Sequence, residues 1–113
     1  YRRMEVMRRG DVVTVALPGD YGKPRPALVI QSDLFVEHPS VTLLPLTSDL
    51  REAPLFRVDF SPNEGNGLRG TSQVMVDKIV SVPRTAIGGV LGACTPGELE
   101  TVDEALRRWL QLE

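Results

Sequence analysis

An arginine held between two prolines, Pro24-Arg25-Pro26, and a hydroxyl pair, Thr47-Ser48, are the residues of this chain best suited to chemistry. Proline fixes its own φ and restricts the residue before it, so the Arg25 guanidinium can be aimed with little entropy lost, an arrangement that suits a phosphate. The same residues also fit a surface arginine paired with Asp20 or Asp49, and a turn whose hydroxyls bond their own backbone. Other catalytic templates fail by inventory. The sequence has no Gly-x-x-x-x-Gly-Lys phosphate loop, no Gly-x-Ser-x-Gly elbow and no metal-ligand spacing, so neither metal nor cofactor is expected. The single histidine, His38, falls in the turn Val36-Glu37-His38-Pro39 and reads as solvated, which excludes a two-histidine ribonuclease mechanism within one chain. Cys94, the single cysteine, allows no internal disulfide and reads as a small buried residue without a basic partner nearby.

The elements that must carry these side chains are short strands. The chain has 113 residues, of which 42% are apolar and 25% charged, which fits one domain over residues 1–113 and excludes a disordered tail. Nine prolines, ten glycines and 5% aromatics argue against a helix bundle. Asp11 to Leu17 is β-branched and stops at Pro18-Gly19; Pro18 to Pro24 reads as a mobile loop. Arg25 to Ser32 is nearly continuous in apolar residues and reads as a strand buried on both faces, with Pro26 near its start. Val41 to Thr47 is a third strand, in which Pro45 suggests a bulge or an edge. Phe56 to Phe60 alternates, with Phe56, Val58 and Phe60 on one face. Ser72 to Val76 and Ile79 to Val82 follow a glycine-rich loop. Thr95-Pro96-Gly97-Glu98 is a capping box with proline at the first helical position, opening a helix over 96–112. Its stripe of Leu99, Val102, Leu106 and Trp109 faces the body, while Glu100, Asp103 and Arg107 face water.

The expected fold is therefore mostly β with a C-terminal helix, a small β-barrel or sandwich under a helical lid. Thirteen basic residues stand against fifteen acidic ones, and five of the acids lie from Thr95 onward, so the body is near neutral and the tail acidic. That balance argues against a polycationic nucleic-acid coat. No apolar run approaches the length of a membrane span, and a cytoplasmic location is expected. Tyr1 is not an initiator residue, so residues 1–8 are expected to be flexible or foreign to the natural chain.

Three blocks in this order, Arg9-Gly10-Asp11-Val12-Val13, Gly22-Lys23-Pro24-Arg25-Pro26-Ala27-Leu28-Val29-Ile30-Gln31-Ser32 and Pro45-Leu46-Thr47-Ser48, resemble the MazF/PemK/Kid family of toxin endoribonucleases. The resemblance continues from Gln73 to Val82 and into the terminal helix. It implies an SH3-like barrel of the MazF/CcdB type, working as a homodimeric mRNA interferase of a type II toxin–antitoxin pair. It implies metal-independent, sequence-specific cleavage of single-stranded RNA by attack of the RNA's own 2′-hydroxyl, with Arg25 and Thr47 as catalytic residues. A permanently charged guanidinium is an awkward proton carrier, so Arg25 is expected to clamp phosphate oxygens, with Thr47 hydrogen-bonding the same phosphate and Ser48 as an auxiliary.

Base selection then falls to loops. Tyr21 would stack on a base, Lys23 would contact phosphate, and Asp77 and Lys78 lie in a segment resembling the family's base-contacting one, where an aspartate accepts from an exocyclic amine. A cognate antitoxin's C-terminal peptide is expected to occupy the same groove. The Phe56–Phe60 strand and the helix stripe are apolar surfaces open to dimerisation. Two other readings compete: a CcdB-like gyrase poison acting through a C-terminus that holds Trp109, and a non-catalytic barrel that only grips RNA or peptide.

Overall fold

The computed structural model describes residues 7–19 and 21–113. Residues 1–6 and Asp20, and with them most of the expectation for the N-terminus and the Asp20 pairing of Arg25, lie outside the described residues. Seven strands are formed: β1 (Asp11–Ala16), β2 (Pro24–Val29), β3 (Ser40–Thr47), β4 (Arg57–Phe60), β5 (Ser72–Met75), β6 (Val80–Pro83) and β7 (Ile87–Ala93). Short 3₁₀ turns stand at Asp33–Phe35, Val76–Lys78 and Arg84–Ala86, and the helix α1 spans Pro96–Leu110.

The strands pair antiparallel in the order β4-β5-β3-β2-β1-β7, with β6 joined to β3. The expected barrel does not close. β3 is the reason: its outer edge is divided, with Ser40 to Leu43 facing β6 and Leu46 and Thr47 facing β5, so the sheet branches there instead of returning on itself. Pro45 is buried opposite Ala27 of β2, and on its outer side it falls in the gap between the β6 pairs, which end at Leu43, and the β5 pairs, which start at Leu46, where its missing N–H costs no ladder bond.

Period-two alternation gives the central strands two buried faces. Val12, Leu28, Leu44 and Leu46 enter one apolar cluster with Val58, Phe60 and Val74, and α1 covers it with Val102, Ala105 and Leu106. Val13, Val15, Ala27, Val29, Val41 and Leu43 enter the other, closed by Val82 and by Ile87 and Val90 of β7. The alternation of β4 holds, with Val58 and Phe60 buried and Asp59 exposed. β2 stops at Val29 because Gln31 turns its carboxamide onto the returning chain, accepting from the Thr42 N–H at 2.9 Å and donating to the Ser40 carbonyl at 3.0 Å.

α1 starts as expected. Thr95 Oγ1 accepts from the Glu98 N–H and the Glu98 carboxylate accepts from the Thr95 N–H, closing the capping box. The apolar stripe is narrower than expected, since Trp109 is half exposed and reaches the body through its ring contact with Phe56, 6.0 Å between centroids. Asp103 does not face water alone: it takes a bidentate bond from Arg9, whose Nε also donates to the Ile30 carbonyl, tying the start of β1 to the helix. The Phe56–Phe60 strand and the helix stripe pack on each other within one cluster, with Trp109 left half exposed at its edge. No described helix is long and apolar enough to cross a membrane.

Candidate functional site

β2 and β3 bring the two sequence candidates together. Ala27 stands opposite Pro45, so two residues further along each strand, toward the same end and on the same face, stand Arg25 and Thr47. They line one groove of about 340 Å³ with Ser48, Leu17, Pro45 and Met75. Arg25 is exposed at the open end of β2, opposite Val15 of β1. Thr47 is the last residue of β3, and its Oγ1 accepts from the Asp49 N–H at 3.0 Å. That bond satisfies the turn reading and sets the chemistry: one lone pair holds the turn, and the hydroxyl proton is left to donate to a ligand. Asp49 is paired with Arg51 at 3.1 Å.

The 3₁₀ turn Val76–Lys78 follows directly on Met75, and Asp77 and Lys78 lie outside the groove lining. Met75 lines the groove, and the next residue, Val76, is buried in the core with its N–H donated to the Phe56 carbonyl at 3.0 Å. The turn is thereby fixed from below. Asp77 Oδ1 is buried without a hydrogen-bond partner among the described residues, whereas Lys78 is exposed. Tyr21 and Lys23 occupy the β1–β2 loop, fully exposed and outside the groove lining. The backbone there is left-handed at Gly19 (φ 90°), Tyr21 (φ 54°) and Gly22 (φ 76°), a conformation that a tyrosine seldom adopts without strain.

Sequence reasoning missed the support behind Thr47. Gln73 of β5, opposite Thr47 in register and 6% exposed, uses all four hydrogen-bonding positions of its carboxamide. Oε1 accepts from the Arg51 N–H and from Arg57 Nη1, both at 2.9 Å, while Nε2 donates to the Arg51 carbonyl at 2.9 Å and to Asp59 at 2.8 Å. Arg57 Nη1 also donates to the Asp49 carbonyl at 2.9 Å. A single glutamine in Ser72-Gln73-Val74 is indistinguishable by pattern from the polar position of a half-exposed strand, so the sequence offered no signal. Cys94 is half-buried beside α1, and burial, then the charge of Glu98, pushes its thiol up to about 11. It stays a thiol at neutral pH, consistent with a packing role. Among the described residues no group of three His, Cys, Asp or Glu side chains converges as a metal site would require.

Comparison with known proteins agrees with this architecture. Residues 8–110 match the family described as PemK-like, MazF-like toxin of type II toxin-antitoxin system. The chain is 42% identical over 101 residues to a protein named probable endoribonuclease MazF from Mycolicibacterium smegmatis, covering 88% of this chain and 93% of that one. A mycobacterial endoribonuclease solved in complex with its cognate antitoxin superposes with a TM-score of 0.79 at 26% identity, covering 95% of this chain and 97% of that one. The MazE–MazF complex of Deinococcus radiodurans shares the fold, with a TM-score of 0.77 at 22% identity over 96% of this chain and 99% of that one. A family match over residues 8–110, nearly the whole length, places this chain in the PemK-like, MazF-like family of type II toxins.

Proposed function

We propose that this MazF-like toxin is an endoribonuclease that cuts single-stranded RNA at a short sequence in the groove between Arg25 and Thr47. The observation that carries the reading is the convergence of a proline-braced arginine and a turn-locked threonine on one groove at the ends of adjacent strands. The RNA supplies its own nucleophile. The 2′-oxygen forms a bond to the neighbouring phosphorus, the bond from phosphorus to the 5′-oxygen breaks, one proton leaves the 2′-hydroxyl and another reaches the departing 5′-oxygen. A 2′,3′-cyclic phosphate and a 5′-hydroxyl end result.

Arg25 holds the non-bridging oxygens as charge builds in the pentacovalent state, and Thr47 donates its free hydroxyl proton to the same phosphate. Ser48, beside it in the groove, is a second donor. Tyr21 stacks on a splayed base and Lys23 meets phosphate, while Asp77 and Lys78 read the base edge that reaches the turn after β5. The toxin acts as a cytoplasmic homodimer, and its cognate antitoxin inhibits it by laying a C-terminal peptide in the RNA groove, in keeping with the antitoxin complexes solved for relatives. The gyrase-poison reading is not favoured, since the relative of 42% identity is named an endoribonuclease.

The test is incubation of the purified protein with a long single-stranded RNA in excess EDTA, with the ends mapped by primer extension. Cleavage at one short motif with 5′-hydroxyl ends is expected. Arg25→Ala removes a preorganised charge-assisted donor worth ~3 kcal/mol of barrier, so its rate falls by about 10² or more, and Thr47→Ala falls in the same direction. Intact RNA with folded, antitoxin-free protein would overturn the assignment.

A further inference from the structure

We propose that Gln73 and Arg57 are positioning residues for Thr47: together they fix the turn that sets the direction of its hydroxyl. The inference rests on the reading of Thr47 as a catalytic group. β3 ends at Thr47, so beyond it the chain has no strand partner to hold residues 48 to 56. The Gln73 carboxamide takes over that task. It bonds both the N–H and the carbonyl of Arg51, as a neighbouring peptide group would, and so continues the β3–β5 pairing by one side chain past its last backbone pair, Thr47 with Gln73.

Arg57 links this anchor to the turn itself. One guanidinium nitrogen bridges Gln73 Oε1 and the Asp49 carbonyl, each at 2.9 Å, and the N–H of the same Asp49 is the donor that fixes Thr47 Oγ1. The path from Gln73 to the threonine hydroxyl is therefore continuous: carboxamide, guanidinium, Asp49 backbone from carbonyl to N–H, Thr47 oxygen. Asp59 holds the other side of the carboxamide, at 2.8 Å.

Two observations separate this role from fold stabilisation. Neither side chain belongs to an apolar cluster, and the stretch they hold leaves Leu50 and Leu55 exposed, with Phe56 at its end packed against the core. Arg57 Nε is also buried without a hydrogen-bond partner among the described residues, a desolvation cost that an apolar residue at that place would avoid. A group kept at such a cost next to a catalytic turn serves the turn.

A double-mutant cycle tests it, with single-turnover cleavage of an RNA oligonucleotide carrying the mapped site. Gln73→Ala is expected to lower kcat about tenfold to thirtyfold with KM within about twofold, because the turn loses its direction while the groove keeps its RNA contacts. In the Thr47→Ala background the same change is expected to cost nothing further, since there is no hydroxyl left to aim. Should Gln73→Ala show no cooperative melting, Arg57→Lys, which keeps the charge and loses the fork, is carried through the same cycle with the same expectation. Penalties that multiply in the double variant, or a Gln73→Ala kcat within twofold of the parent, would overturn the positioning role and leave the catalytic reading of Thr47 standing. Full activity in Thr47→Ala alone would remove both.

Discussion

The Asp77 carboxylate carries an oxygen that is buried and without a hydrogen-bond partner, in a turn pinned from below by Val76. A buried acceptor left unmatched costs on the order of 1–3 kcal/mol, so a fold under selection for stability alone would not keep it. Asp77 lies two residues beyond Met75, which lines the groove, and in the proposed function it reads the amino group of a base. Asp77→Asn, which keeps the shape and replaces one acceptor by a donor, is therefore expected to slow cleavage at the original motif by about tenfold or more, with folding and RNA chemistry intact. Mapping the cut sites of the variant on a long transcript checks this; an unchanged motif at an unchanged rate would remove Asp77 from base recognition. The contrast with Thr47 is instructive. There the acceptor is matched by Asp49 and the donor is left over.

At the scale of elements, β7 governs the close packing of one side of the sheet, and its glycines are what permit it. A Cβ on Gly92 would lie 2.1 Å from the Gly65 carbonyl oxygen and 2.8 Å from the Asn66 carbonyl carbon, both backbone atoms that cannot yield cheaply, whereas a Cβ on Gly89 would meet nothing within 4 Å. Gly92→Ala is thus expected to lower the melting temperature by about 10 °C or to prevent folding, while Gly89→Ala holds it or raises it by a few degrees through the stiffer unfolded chain. Thermal unfolding of the pair followed by circular dichroism decides the matter. The same glycines explain why β7 was not legible. Ile87-Gly88-Gly89-Val90-Leu91-Gly92-Ala93 has neither the alternation nor the β-branched density of a strand, and its pairing with β1 carries two register shifts. The other six strands and the capping box were readable because their local propensity and their burial agree. The open sheet was not, because it follows from the divided outer edge of β3, a long-range pairing that no window of sequence contains. Of the candidate site, Arg25 and Thr47 stand out through proline and turn chemistry, while a catalytic role for them comes from the family resemblance. Gln73 and Arg57 do not stand out, because their roles depend on partners distant in sequence. Gln31 shows the same device at the end of β2, where a carboxamide also stands in for a peptide.

For the whole molecule, charge limits how much RNA can be held. The chain carries a formal net charge of −2, so no long-range field draws a polyanion along its surface. Attraction must come from a few cations set about the groove, Arg25 in its lining, Lys23 on the neighbouring loop and Lys78 on the turn after β5. Each phosphate neutralised on a single strand contributes a slope of about −0.7 to the dependence of log affinity on log salt, so two or three contacts give a slope near −2. Fluorescence anisotropy with the Thr47→Ala variant, whose slower cleavage is expected to leave the RNA intact over the measurement, follows this across a salt series. A slope near −2 fits recognition concentrated on a short motif, where stacking and base-edge contacts supply the rest of the affinity. A slope steeper than about −4 would mean that the strand is tracked well beyond the groove, and the footprint would have to be sought over the rest of the sheet. The same arithmetic applies to inhibition. An acidic peptide that competes for these few cations gains little from electrostatics alone, so an antitoxin that silences this toxin must draw most of its affinity from apolar and backbone contacts, and its inhibition should weaken with salt no more steeply than RNA binding does.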